Sequence, residues 1–277
     1  MKEEDKKLIR RYCRELQNSE KAPSTVQKYV RDADKFLQWL SGRLLNRQIA
    51  LAYKQRLLKT LSPSSVNAAL SSLNSFFAFM GRAELKVKSL KVQRRLFIPE
   101  ERELTKGEYR KLLQTAERTG QRRLRLIMQT VCSTGMRISE LAFVTVAAVR
   151  KGRAQIKSKG KERIVFFPGS LCALLELYAA EKGIRQGPVF ISRTGKPLDR
   201  SNIWKEMKRL CRLADIPAQK VFPHNLRHLF AKTYYSAMKD IVRLADILGH
   251  SNINTTRIYT VESGRRHRSQ IENLDLI

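Results

Sequence analysis

His224-Asn225-Leu226-Arg227-His228, then Leu248-Gly249-His250, then Tyr259 form the stretch on which the reading of this chain turns. The chain holds four histidines; three fall between positions 224 and 250, and the fourth, His267, lies in the tail. A cluster of His and Arg with few acids nearby offers donors to an anion and few ligands to a metal. Zinc needs roughly three or four spaced ligands, and His224 and His228 have no adjacent Glu or Cys. No metal and no other cofactor is expected. At a phosphodiester the cluster has a use: fixed Arg forks and imidazole N–H groups stabilise the extra negative charge of a pentavalent phosphorus species. The nucleophile must come from elsewhere. Tyr259 lies nine residues after His250. With one helix ending near Gly249 and the next covering 252–259, a tyrosine at the second helix's end returns to the same site. Its phenol, with an ordinary pKa of roughly 10, becomes a better nucleophile beside cations. Lys159, at the tip of a β-hairpin, is placed to reach a bound backbone and protonate the leaving 5′ oxygen.

Charge points the same way. The 277 residues carry 55 Lys+Arg against 25 Asp+Glu, a formal charge of +30. Such self-repulsion makes sense with a polyanionic partner. Residues 1–98 carry net +13 and residues 99–277 net +17, so both halves are expected to face that partner. Nucleic acid is the default, because phosphate neutralisation drives binding through counterion release; a basic ribosome-associated or membrane-surface protein is the alternative. Hydrophobic residues make up 42%, enough for a buried core, and the length fits two modest domains or one large one. No run approaches the roughly 18–20 apolar residues of a membrane helix. The N-terminal MKEEDKKLIRRYCRELQ lacks the apolar stretch of a signal peptide. A cytoplasmic, nucleoid-associated location without a membrane partner is expected. Cys13, Cys132, Cys172 and Cys211 form no CxxC pair and read as small core residues.

Periodicity predicts helices over 3–18, from Ser24 as N-cap after Pro23, over 47–59, and from Ser62-Pro63, an N-cap followed by proline at the first helical position. Residues 81–102 are basic, weakly periodic and contain Pro99; they read as a linker, with a strand or extended arm as the alternative. This gives a helical domain over 1–81, a linker over 82–102 and a second domain over 103–277. Thr105 and Glu108 have the spacing of a capping box. Further helices are predicted over 106–119, 122–133, 170–182, 201–214, 226–238 and 241–248. Residues 154–157 and 163–167 predict two strands of a hairpin around Ser158-Lys159-Gly160-Lys161. The fold class is mainly α with a small β-hairpin.

Four motifs resemble those of one family. Thr134-Gly135-Met136-Arg137-Ile138-Ser139-Glu140-Leu141 resembles the first arginine box of the tyrosine recombinases, and Ser158-Lys159-Gly160-Lys161-Glu162-Arg163 their hairpin lysine motif. His224-Asn225-Leu226-Arg227-His228 is similar to their H-x-L-R-H box, and Leu248-Gly249-His250 with Ile258-Tyr259 to their final LGH…Y box. The match in order and spacing covers about residues 100–262 and resembles a two-domain, Xer-like member.

The resemblance implies that Arg137 and Arg227 clamp a scissile phosphate, that His250 donates to it, and that His224 supports proton transfer. It implies Lys159 as general acid for the departing 5′-OH and Tyr259 as the attacking group, which becomes a 3′-phosphotyrosyl link. The bond energy stays in that link, so neither ATP nor a metal is implied. Glu140 and His228 are implied as supports that orient the clamp. The hairpin is one residue shorter than in many relatives, KGK standing where KGxK is common. Lys157 and Lys161 are therefore rivals of Lys159.

The same resemblance implies a fold: a helical core-binding domain plus an α+β catalytic domain, gripping opposite sides of a duplex as a C-shaped clamp. STVQKYVRDADKFLQWL carries the weaker N-terminal likeness. The implied partners are double-stranded DNA with paired half-sites, a homotetramer on that DNA passing through a Holliday junction, and accessory proteins. Candidate DNA contacts are Lys28, Arg31, Asn67 and Ser71, then Lys161 on the hairpin, then Ser201, Asn202 and Lys205 at a helix start, where backbone N–H groups favour phosphate. In the tail, Ile271, Leu274, Leu276 and Ile277 read as an apolar plug, for a neighbouring protomer or in cis. The chain enters its first helix at once, so no additional arm-binding domain is expected. Two other classes share this pattern: a type IB topoisomerase-like relaxing enzyme and a non-enzymatic DNA-binding factor. Integration, excision, resolution and inversion share the chemistry, and the sequence does not choose among them.

Overall fold

Four helices build the amino-terminal part of the chain: α1 (Glu3–Asn18), α2 (Pro23–Leu40), α3 (Arg47–Thr60) and α4 (Pro63–Phe79). The computed structural model describes residues 3–92, 102–158, 161–192, 195–196, 198–250, 252–259 and 272–273. Pro23 and Pro63 occupy first turns, where a missing N–H costs nothing. Ser62 caps α4 as expected, accepting from the Ser65 N–H at 3.4 Å. Ser24 does not cap α2. Proline fixes the first helical φ one residue earlier, so Ala22 precedes the helix without a side-chain cap. The helices turn apolar stripes inward. Phe36 packs edge-to-face on Phe77 at 5.4 Å and on Tyr53 at 5.0 Å.

The stretch after Gly81, expected as a linker, is bound to this core as far as Leu90. A 3₁₀ turn at Ala83–Leu85 buries Leu85, and Val87 follows it inward. Asn74 and Asn67, two turns apart on α4, hold the extended backbone. Asn74 Nδ2 donates to the Val87 carbonyl and its Oδ1 accepts from the Val87 N–H, both at 2.9 Å. Asn67 does the same to Leu90 at 2.9 and 2.7 Å. A side-chain amide carries donor and acceptor together, so it stands in for a neighbouring strand. The amino-terminal unit covers Met1–Arg94 and a second compact unit Arg95–Ile277.

In the second unit α5 (Lys106–Arg118) opens with the predicted capping box. α6 (Arg122–Thr134) is buried on several sides through Leu124, Ile127, Met128 and Val131, as a central helix must be. A 3₁₀ segment at Ile138–Phe143 and the short α7 (Val146–Arg150), neither predicted, lead to the hairpin. β1 (Arg153–Ser158) and β2 (Lys161–Phe166) pair antiparallel, with Ser158 opposite Lys161 and Ile156 opposite Arg163. Lys159 and Gly160, between them, lie outside the described residues. α8 (Gly169–Glu181), α9 (Arg200–Leu213), α10 (Pro223–Met238) and α11 (Ile241–Leu248) follow.

Two boundaries differ from expectation where it matters. α10 starts at Pro223 instead of Leu226, again because proline suits a first helical turn, and this places His224 on the same helix as Arg227 and His228. The predicted helix over 252–259 is instead two 3₁₀ turns, Ile253–Thr255 and Arg257–Tyr259. The run is short and rich in β-branched Ile253, Thr255, Thr256 and Ile258, which disfavour a regular α-helix. Among the described residues no helix is long and apolar enough to cross a membrane.

Candidate active site

α6 and α11 end alike: Gly135 and Gly249 take left-handed φ values of 66° and 64°. Helix ends leave carbonyls without helical partners. Arg227, on α10 and 2% exposed, serves both ends. Its Nη1 donates to the Gly135 carbonyl and its Nη2 to the Leu248 carbonyl, each at 2.6 Å. Helix C-termini carry partial negative charge, so a buried guanidinium is stabilised there. Nη2 also lies 3.1 Å from His250 Nε2, and His250 Nδ1 lies 2.9 Å from the hydroxyl of the buried Thr256. Arginine only donates. Nε2 therefore accepts, and the geometry assigns the proton of neutral His250 to Nδ1.

Glu140, 4% exposed, collects three N–H donors. Its Oε2 accepts from the Arg137 backbone and from Arg163 Nη2, both at 2.6 Å, and its Oε1 from Arg137 Nη1 at 3.0 Å. Arg163 Nη1 donates onward to the Ile247 carbonyl. Glu140 thus orients Arg137, whose side chain stays 45% exposed and open to a ligand. Arg137, Arg163 and Arg227 face one carboxylate, leaving a formal excess of two positive charges. Such fixed donors stabilise charge that develops on a phosphate.

The Tyr259 ring is 2% exposed and packs with Ala231, Leu244 and Leu248. It stands edge-on to His228 at 4.9 Å and nearly parallel to His250, at 14° and 6.2 Å. Burial holds His228 at about 4. His250 is also held at about 4, first by burial and then by the charges of Arg227, Arg137 and Arg163. His224 keeps an open edge to solvent, yet its imidazole is lowered too, by partial loss of water first and by Arg227, Arg137 and Arg200 next. Burial pulls Arg227 down to about 10, which leaves it charged at neutrality. All three imidazoles are neutral near pH 7, and the arginines carry the positive charge.

The structure brings Arg137, His224, Arg227, His250 and Tyr259 together, with Glu140 and His228 against them. Lys159 and the side chain of Lys161 lie outside the described residues. Lys157 pairs with Glu162 at 2.7 Å on the solvent face of the hairpin, opposite the face that carries Ile156 and Arg163. Among the candidate DNA contacts, Lys28 is engaged within its own unit by Asp32 at 2.6 Å, the Ala68 carbonyl at 2.8 Å and Ser72 Oγ at 2.9 Å. Asn67 is engaged by Leu90. Arg31 and Ser71 are exposed, and the Ser71 hydroxyl donates to the Asn67 carbonyl. Ser201, Asn202 and Lys205 are exposed on α9, but the Ser201 N–H is already capped by Asp199 Oδ1 at 2.5 Å. Ile271, Leu274, Leu276 and Ile277 lie outside the described residues. Arg163 and Thr256 join the site without having been singled out. Arg163 stands two residues before the apolar Val165 in the hairpin motif, an alternation that marks an inward position. Thr256 carries no such signal, because its partner is set by where the His250 ring comes to rest.

A donor-rich site of arginines and imidazoles, with a tyrosine packed on it and one small hairpin in a helical frame, marks an enzyme that breaks and rejoins DNA. The phage integrase family model matches residues 102–265, and that of the phage integrase N-terminal SAM-like domain matches residues 9–84. The chain belongs to the phage integrase family and is a tyrosine recombinase, acting at specific DNA sites through a covalent DNA intermediate. Its relatives include tyrosine recombinase XerA of Thermococcus kodakarensis, 31% identical over 93% of this chain and 91% of that one. Tyrosine recombinase XerD of Halalkalibacterium halodurans is 28% identical over 88% and 89% of the two chains. The fold is shared with XerH bound to its difH substrate in a pre-cleavage complex, at a TM-score of 0.71 and 22% identity, over 95% of this chain and 83% of that one. It is shared also with a lambda integrase (75-356) dimer bound to a COC′ core site, at 0.73 and 18%, over 94% and 96%.

Proposed function

We propose that Tyr259 is the nucleophile of this recombinase, that Arg137, Arg227 and His224 hold the phosphate it attacks, and that His250, expected as a donor to that phosphate, instead supports Arg227, from which its Nε2 accepts. The observation that carries the reading is the stacking of Tyr259 on His250, whose Nε2 is bonded to the buried Arg227. The phenol oxygen attacks phosphorus, the bond to the 5′ oxygen breaks, and a 3′-phosphotyrosyl link forms. Neutral His224 takes up the phenol proton, and Lys159 gives a proton to the departing 5′ oxygen. Arg137 and Arg227 balance the charge gained at phosphorus. Attack by the 5′-OH of another strand reverses the step, so exchange needs no outside energy source.

On this reading a homotetramer holds two duplexes with paired half-sites and passes through a Holliday junction, aided by accessory proteins on nucleoid DNA in the cytoplasm. Residues 1–81 form the DNA-clamping domain and 103–277 the catalytic one. Net charges of +13 over 1–98 and +17 over 99–277 support contact of both with the duplex. Arg31, Ser71, Lys161, Ser201, Asn202 and Lys205 supply phosphate contacts from exposed or terminal positions. The test is a nicked suicide substrate. The unaltered enzyme is expected to yield a covalent protein–DNA adduct and Tyr259→Phe none; an adduct that persists in Tyr259→Phe overturns the assignment. Mass measurement of the trapped assembly is expected to count four protomers.

A further inference from the structure

We propose that Arg163 is a positioning residue: it ties β2 to the arginine clamp so that the hairpin lysine reaches the leaving oxygen. This rests on the reading in which a hairpin lysine is the general acid.

A two-stranded hairpin has little stability of its own. Its tip goes where its anchors hold it. On the solvent face Lys157 and Gln155 both reach Glu162, exposed contacts of small worth. Among the described side chains, the inward face has one charged anchor near the tip. Arg163 sits opposite Ile156, two residues into β2 from Lys161, and its side chain is 12% exposed. One arm of its fork ends on Glu140 Oε2 at 2.6 Å, the atom that also accepts from the Arg137 backbone at 2.6 Å. The other arm ends on the Ile247 carbonyl. The next carbonyl along, that of Leu248, takes Arg227. Arg163 and Arg227 therefore hold successive carbonyls of one helix end, and a single carboxylate oxygen joins the hairpin to Arg137. The hairpin, Arg137 and the end of α11, which Arg227 also holds, are fastened through this one guanidinium. Lysine is a poor substitute, since one ammonium has no planar fork to span a carboxylate and a carbonyl.

The test separates leaving-group protonation from everything else. Suicide substrates are prepared with an ordinary 5′-bridging oxygen and with sulfur in its place. A thiolate leaves without protonation, so the sulfur substrate bypasses the general acid. Arg163→Met is expected to cleave the oxygen substrate about 100-fold more slowly, as loss of a general acid does, and the sulfur substrate within about threefold of the unaltered enzyme. Arg163→Lys is expected to show the same pattern with a loss of about tenfold. It keeps the charge beside Glu140 and serves if Arg163→Met does not fold, as judged by thermal unfolding and DNA affinity. Equal slowing on both substrates overturns the proposal, because the defect then lies in the clamp or the fold. No slowing on either overturns it as well. Lys159→Ala is run alongside. If it is slowed on oxygen and restored by sulfur, the general-acid reading stands. If Arg163→Met is restored by sulfur and Lys159→Ala is not, the tether stands, and the choice of Lys159 as acid is what fails.

Discussion

Gly249 lies against Arg163 so closely that a Cβ on Gly249 would come within 2.5 Å of the Arg163 Cδ. Its φ of +64° is also a conformation that side chains rarely adopt. Gly249→Ala therefore combines left-handed strain with displacement of a partly buried arginine. A loss of about 1–3 kcal/mol is expected in urea unfolding, with covalent adduct formation falling further than stability explains. Gly81→Ala is the control: at φ +70° with nothing within 4 Å, it carries the strain alone. If the two variants match in both measurements, Arg163 does not need the gap that glycine leaves.

Glu140→Gln keeps the shape of the side chain but removes the one carboxylate among three guanidinium groups. Oε2 accepts two bonds at 2.6 Å and Oε1 a third at 3.0 Å, and an amide has an acceptor on one side only. The variant is expected to lose about 2–4 kcal/mol of unfolding free energy. Adduct formation on the suicide substrate is expected to fall about 100-fold, because Arg137 loses its orientation. Unchanged stability would mean that the arginines are held by something else.

The buried imidazoles set a pH dependence of stability with a definite sign. His228 and His250 stand at about 4 in the folded protein, below the roughly 6.5 of an unfolded chain. Above about 6.5 both states are neutral and the stability is fully present. As pH falls from there toward 4, the unfolded chain takes up protons that the folded site refuses, and stability declines. The decline is expected to be roughly 1–3 kcal/mol per histidine, read from thermal unfolding across that window. His228→Phe keeps a ring beside Tyr259 and does not titrate. It should flatten part of the profile, and a profile that stays as steep argues against the buried neutral form of His228.

Asn67 and Asn74 are expected to matter for stability and not for DNA affinity. Each Ala substitution leaves a backbone N–H and a carbonyl of the 83–90 segment without a partner, for a loss of about 1–2 kcal/mol in urea. The salt dependence of DNA binding by Asn67→Ala should match that of the unaltered protein. Arg31→Ala, at an exposed arginine, should instead lower the slope by about one counterion. The opposite pattern would make Asn67 a phosphate contact.

What could be read without coordinates is what is written locally. The capping box at Thr105 and Glu108, the stop at Gly249, the hairpin around Lys159 and each of the four motifs taken singly depend on residues close together in the chain. So does the charge that calls for a polyanion. Local reading failed where two local preferences compete. Proline moved the starts of α2 and α10 forward, and β-branched residues turned the last predicted helix into 3₁₀ turns.

The chain by itself determined the class of chemistry, because arginine, imidazole and phenol bring their donors and nucleophile wherever they sit. It did not determine which atom meets which. Arg227 meets Gly135 across 92 positions, Arg163 meets Ile247 across 84, and Asn67 meets Leu90 across 23. In an open chain water satisfies every one of these groups. Only when α10 packs on α6, and the hairpin closes over the end of α11, is water excluded and each donor left to the acceptor that packing has put beside it.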